Sequence, residues 1–366
     1  MSDNGVTGMG LPSPDKVREW LSAAAADPAS LPDEGYEALL GADGRQLAEL
    51  CELADSLRRQ AVGDALTYAV NRNLDTAAVV GADPGSRERL AALVVEARDL
   101  GATEICMQGP FPPDSDDDYL DLIAAVKASA PEIHLHAFRP AELLDGAARR
   151  GMPLAEFLTA ARQAGLGSVP GTAARILDDE VRARMKGGQD SPVSQWVEVI
   201  EAAHRAGLTS TSTMVFGHVE TPVHQVAHLR LLAGIQDRTG GFTEFIAMPF
   251  VPAAAAVTAP GLVGRDVPGP SWRQSRAVHA VARLMLGRIG NIQAAWPKYG
   301  LDASVDLLRG GANDLGGLLL DGRLAPDAGA EAGLVLTLDD VTRVARELGR
   351  PLQQRTTGYG KVLAGA

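Results

Sequence analysis

The sequence predicts an α/β protein, a (β/α)8 TIM-type barrel carrying additional N-terminal helices. Short apolar stretches alternate with amphipathic helical ones from about residue 66 onward, the pattern of a parallel sheet wrapped by helices. Nearly every predicted strand ends in polar residues, as barrels require where their sites form. No Gly-rich dinucleotide fingerprint follows the first strand, which counts against an open doubly wound sheet.

The strands are expected near Thr67–Leu74, Thr103–Gln108, His134–Phe138, Gly167–Pro170, Ser210–Phe216, Glu244–Pro249, Asn291–Ala295 and Ala312–Leu315. Helical stretches such as Ser86–Leu100, Asp117–Ser129, Val193–Ala206 and Trp272–Leu286 fill the gaps. Before the barrel, Val17, Trp20, Leu21 and Ala24 recur at helical spacing, as do Leu47, Leu50, Leu53, Ala54 and Leu57. The expected organisation is a flexible start over 1–14, N-terminal helices over 15–65 packed on the barrel, and one barrel over 66–366. The Ala-, Gly- and Pro-rich stretch Phe250–Pro270 reads as a long loop over the barrel mouth.

The 366 residues are 46% hydrophobic and carry a net charge of −12 with dispersed Lys and Arg, so nothing points to nucleic acid or an anionic membrane surface. No run approaches the 18 or so apolar residues of a membrane span, and the N-terminus lacks a signal sequence, so a cytoplasmic protein is expected. Cys51 and Cys106 are the only cysteines, each among apolar neighbours, and read as packed thiols.

The strand-end residues are Asn71, Arg72, Asn73, Gln108, His136, Ser168, His218 with Glu220, Glu244, Gln293, and Asn313 with Asp314. His134 and His136 alternate along one strand and share a face, where a neutral imidazole beside a cavity is a general acid or base; the alternative is a core histidine bonded to nearby backbone. His224 and His228 have the i, i+4 spacing of a two-histidine metal site, without the Glu that follows the first His in zinc proteases. His218, Glu220 and Glu244 make the better divalent-ion set, but no metal is expected at either place.

Several segments, in order, resemble the tyrosine-using (CofH-type) part of deazaflavin (FO) synthase: LGATEICMQG (100–109), HLHAF (134–138), AGLGSVPGTAARILDDEVR (164–182), FGHVETP (216–222), DRTGGFTEF (237–245), GGANDLGG (310–317) and QRTTGYG (354–360). The resemblance implies a radical-SAM barrel, in which an iron–sulfur cluster held by a C-x3-C-x2-C loop cleaves S-adenosylmethionine. Here the matching loop, Asp75–Asp83, reads DTAAVVGAD and has no cysteine. The family's Gly-Gly turn is Gly109-Pro110-Phe111, with a ring that would take up ligand volume, and its ribose carboxylate is Arg175.

These departures predict a chain with no 4Fe–4S cluster and no SAM, retooled for non-radical lyase, condensation or isomerisation chemistry on a small polar metabolite of specialised biosynthesis. The alternative is a non-catalytic paralogue that binds a ligand or partners an active radical-SAM enzyme of the same pathway. His136, His218 and Glu220 are the expected catalytic groups. Asn71, Arg72, Gln108, Arg175, Glu244, Asn313, Asp314, Arg355, Thr356 and Tyr359 are the expected binding groups, all at the mouth.

Overall fold

A computed structural model describes residues 13–80, 85–112, 115, 117–172, 174–186, 191–251, 269–319 and 336–362. Most of the predicted mouth loop, 252–268, lies outside the described residues, as do residues 81–84 of the segment after the first strand.

Three helices lead the chain: α1 (Pro14–Ala26), α2 (Asp33–Leu40) and α3 (Gly44–Val62). Asp43 starts α3 by accepting from the Gly44 amide at 2.7 Å, and Gly63 ends it at φ 73°, which a glycine adopts without the clash of a Cβ. Between these ends, Leu47, Leu50, Cys51 and Ala54 bury one stripe.

The barrel follows as β1 (Leu66–Asp75), α4 (Thr76–Val79), α5 (Ser86–Asp99), β2 (Glu104–Gln108), α6 (Tyr119–Ser129), β3 (His134–Ala137), α7 (Pro140–Arg149) and α8 (Leu154–Ala164). It continues with β4 (Leu166–Val169), α9 (Asp179–Lys186), α10 (Val193–Arg205), β5 (Thr209–Phe216), α11 (Pro222–Thr239), β6 (Phe242–Pro249), α12 (Trp272–Met285), β7 (Asn291–Gln293), α13 (Trp296–Tyr299) and α14 (Leu301–Leu308). It ends with β8 (Asp314–Leu319), α15 (Leu338–Leu348) and a short β9 (Leu352–Gln354).

Neighbouring strands pair in parallel, and β1 pairs with both β8 and β2, which closes an eight-strand barrel. Apolar side chains between strands and helices, among them Ile105, Leu135, Trp196, Phe245 and Val281, form a continuous core. The leading helices dock on α11 and α12. Arg273 donates to the Leu40 and Ala42 carbonyls at 2.9 Å each, and the Arg230 guanidinium stacks 5.0 Å from the ring centre of buried Tyr36.

The last strand sets the axial geometry. β9 pairs with the first residues of β1, Leu66↔Leu352 through Tyr68↔Gln354, so it enters at the N-terminal end of the barrel, opposite the mouth. The following turn, residues 355–361, crosses that floor.

Candidate functional site

Two polar systems occupy the barrel, at different heights. The floor system centres on Arg355, whose Nε donates to Asp314 Oδ2 at 2.6 Å and whose Nη2 donates to Asp314 Oδ1 at 2.9 Å and to Glu244 Oε2 at 3.4 Å. Asp314 also accepts from the Thr67 hydroxyl and the Gly316 amide, both at 2.6 Å. The Tyr359 hydroxyl donates to Glu244 at 2.6 Å, while its ring lies 4.1 Å from the Arg355 guanidinium. Thr357 donates to Glu104 at 2.6 Å.

Burial works against the Arg355 charge, but Asp314, Tyr359 and Glu244 outweigh it and hold its pKa well above the ordinary value. Burial pushes the Glu244 carboxyl up to about 7, against the pull of Arg355 and with the help of Asp314.

Six residues expected at the mouth therefore lie elsewhere. Asp314 opens β8 instead of closing it, Asn313 precedes it, and Glu244 is the third residue of β6. Asn313 accepts from Arg283 Nη2 at 3.0 Å and from the Ile292 amide at 2.9 Å, and donates to Asn291 at 3.1 Å. Thr356 closes the floor turn, its hydroxyl accepting from the Gly360 amide at 3.0 Å. With Arg355 and Tyr359 these groups seal the end at which barrel residues serve stability.

The mouth-side system is built mainly of amides and hydroxyls, with Asp75 at the end of β1 beside Gln108 and capped by the Ala77 amide at 3.0 Å. Asn71 and Asn73 on β1 face inward, the Asn71 Nδ2 donating to Asn73 at 3.0 Å, while the buried Asn71 Oδ1 has no partner among the described residues. A Cβ at Gly317 would stand 1.8 Å from that oxygen, so the glycine is what allows Asn71 its place. Gln108, the last residue of β2, accepts from the Thr172 hydroxyl at 3.1 Å and donates to Cys106 Sγ at 3.4 Å. His136 on β3 is buried, and its Nδ1 lies 2.6 Å from Ser168 Oγ.

Four expected residues face away from the barrel interior or are engaged near its mouth. Arg72 points outward, donating to Glu96 and the Leu93 carbonyl at 2.7 Å each. His218 lies past β5 between two acceptors, the Val215 carbonyl at 2.9 Å and Glu220 Oε2 at 3.0 Å, and burial lowers its pKa while Glu220 raises it. Glu220 in turn accepts from the Gly217 and His218 amides and from Gln225, so the pair clamps its own loop. Arg175 has left-handed backbone at φ 47°, its carbonyl accepts from the Val215 amide at 2.8 Å, and its charge opposes protonation of His218.

The two helical histidines are separately employed. His228 Nδ1 accepts from the Leu177 amide and its Nε2 faces the Thr213 carbonyl, whereas His224 accepts from the Thr221 amide at the start of α11. Among the described residues no three metal-ligating side chains converge.

Comparison with known proteins fits this geometry to a family. A model of the radical SAM superfamily matches residues 70–232, and one of the CofH/MqnC C-terminal region matches residues 239–362. FO synthase of Nocardia farcinica is 47% identical over 93% of this chain, and the Streptomyces coelicolor enzyme is 46% identical over 94%. The chain spans about two-fifths of the length of these FO synthases. A Methanothermobacter thermautotrophicus protein, 5-amino-6-(D-ribitylamino)uracil–L-tyrosine 4-hydroxyphenyl transferase, is 38% identical over 95% of this chain and 98% of its own length. The chain belongs to the FO synthase family of radical SAM proteins. Among solved folds, methylornithine synthase (PylB) aligns at TM-score 0.62 and 15% identity over 90% of this chain and 97% of that one. The hydrogenase maturase HydG of Carboxydothermus hydrogenoformans aligns at TM-score 0.66 and 12% identity over 94% and 81%. At these identities the two show the barrel fold.

This kinship corrects the expectation of non-radical chemistry or a non-catalytic role, because the FO synthase family is one of radical-SAM catalysts. It equally corrects the expectation of no 4Fe–4S cluster and no SAM, which are the cofactors the family implies. The Phe111 ring is buried against Tyr119, ring centres 4.1 Å apart, and under the Arg149 guanidinium.

The cluster itself does not fit the side chains present. Its thiolates would have to come from Cys51, engaged with Arg276 at 3.7 Å on α3, and Cys106, engaged with Gln108 on β2.

Proposed function

We propose that the chain serves the tyrosine-using step of deazaflavin precursor formation, in which the family joins a 4-hydroxyphenyl group from L-tyrosine to 5-amino-6-(D-ribitylamino)uracil, and that its own side chains bind and orient the ribityl-bearing substrate. The observation that carries this reading is the set of inward amide and hydroxyl side chains above the floor, Asn71, Asn73, Gln108 and Thr172, with the Asn71 Oδ1 buried and without a partner among the described residues. Carboxamides donate and accept along one edge, as a uracil imide and a polyol chain require, and a buried lone acceptor costs about 1–3 kcal/mol until a ligand N–H or O–H meets it. Asn71, Asn73, Gln108 and Thr172 bind and orient the ribityl-bearing partner in this reading, and His136 holds or moves a proton beside it.

The cluster and SAM supply radical initiation in the family. A protein partner carrying what this chain does not span of the FO synthases completes the proposal, in the cytoplasm. Among the described residues no helix is long and apolar enough to cross a membrane.

Calorimetric titration with each of the two substrates tests the reading. Saturable binding of the ribityl compound, weakened at least about tenfold in Asn71→Ala and Gln108→Ala by loss of one or two hydrogen bonds, is expected. Absence of binding by both compounds to folded protein overturns it.

A further inference from the structure

Ser168 joins two histidines. Its hydroxyl lies 2.7 Å from His134 Nε2 and 2.6 Å from His136 Nδ1, and it is buried, as is His136. The three residues stand on adjacent strands, Ser168 beside His136 in register and His136 beside Cys106. His134 is the partly exposed, lower end of this row, next to Glu104 of the floor, whereas His136 is the inner end, with no partner for Nε2 among the described residues.

A serine hydroxyl has one hydrogen, so Ser168 can donate to only one of the two rings and must accept from the other. The facing atoms differ, Nε2 in His134 and Nδ1 in His136. If both rings are neutral, a proton on His134 Nε2 leaves His136 Nδ1 bare and its Nε2 protonated, and the reverse arrangement protonates both Nδ1 atoms. Either way the two rings share one tautomer.

Neutrality follows from the surroundings. Burial lowers the pKa of His136 to about 3, with Arg355 adding to the effect, and lowers that of His134 to about 4, with Glu104 opposing and His136 and Lys127 assisting. An imidazolium is too costly for stepwise acid catalysis here, but an exchange of tautomers carries no charge.

We propose that His134, Ser168 and His136 form a proton relay in which both imidazoles remain neutral and switch tautomer together. In the donating direction, the N–H bond at His136 Nε2 breaks as its proton passes to an anionic oxygen or nitrogen of the substrate, a phenolate or imidate, which becomes the neutral phenol or imide. Ser168 Oγ then protonates His136 Nδ1, His134 Nε2 reprotonates Ser168, and His134 takes a proton from solvent at Nδ1. Each nitrogen that loses a proton is matched by one gaining it on the same ring, so only the substrate changes charge, and the reverse sequence removes a proton from it. Ser168 is a positioning residue in this scheme. The relay rests on the reading that the barrel interior holds the substrate.

Long-range proton–nitrogen correlation spectra of the full chain with 15N-labelled histidine test the relay, with signals assigned through His134→Gln and His136→Gln. At neutral pH both rings are expected neutral and in the same tautomer, a pattern that Ser168→Thr keeps and Ser168→Ala uncouples. Opposite tautomers, an imidazolium at either position, or an unchanged pattern in folded Ser168→Ala overturns the relay. The titrations above separate the two readings: ligand binding with opposite tautomers sinks the relay alone, and matched tautomers without ligand binding leave the His134–Ser168–His136 coupling standing while the proposed function, and proton delivery to its substrate, fall.

Discussion

At the floor of the barrel, Arg355, Asp314 and Glu244 are mutually paired, and Thr67, Glu104, Thr357 and Tyr359 saturate what remains. At the mouth, Asn71, Asn73, Gln108 and Thr172 carry no charge and leave a buried acceptor open. Both regions are rich in polar side chains aimed at the barrel axis, so polar density does not distinguish a site from a seal. What distinguishes them is whether the groups satisfy one another.

The strongest way to break this contrast is at Arg355. Arg355→Met strands Asp314 and Glu244 without their cation, and chemical denaturation should show a loss of about 3–5 kcal/mol, the usual cost of breaking a buried pair on one side. A double variant that also replaces Asp314 with Leu should recover much of that loss. A single variant as stable as wild type would refute the floor assignment.

Glu244 offers a pH test of the same region. Its folded pKa is raised to about 7, so the native state holds a proton that the unfolded chain releases, and this contribution is present at low pH and lost as pH rises toward and through 7. Wild-type stability relative to Glu244→Gln should fall by roughly 3 kcal/mol between pH 4.5 and pH 8. A flat difference would remove Glu244 from the coupled floor. Next in size, Tyr359→Phe removes the donor to Glu244 at 2.6 Å and should cost about 1–3 kcal/mol in denaturant unfolding.

The smallest stability effect belongs to the mouth. Asn71→Ala deletes one inward hydrogen bond, to Asn73, and an acceptor that no group among the described residues uses, so its unfolding free energy should change by less than about 1 kcal/mol. If stability collapses while ribityl-substrate affinity holds, the mouth and floor roles are reversed.

The sequence made the barrel legible because strand and helix periodicities differ and their alternation is regular. All eight barrel strands lie within a few residues of their expected places, and β8 is the instructive shift, Asp314–Leu319 against Ala312–Leu315. That shift moved Asn313 and Asp314 from one end of the barrel to the other. Alternation reports which face a side chain takes but not its height along the axis. It did contain a signal that the reading of strand ends passed over: Arg72, lying between inward Asn71 and Asn73, has the opposite parity and therefore faces α5.

The floor contacts were not legible, since Arg355 lies 111 residues from Glu244 and 41 from Asp314, and no local pattern joins them. Thr67, Glu104 and Thr357 were missed for the same reason. The role of Ser168 had a local trace in the alternating His134 and His136, but the bridging hydroxyl comes from the neighbouring strand.

The turn across the floor also has a consequence for biosynthesis. A ribosome delivers β6 with Glu244, then β8 with Asp314, and only afterwards Arg355, so for that interval the emerging barrel holds two acidic groups whose counter-charge has not yet been made.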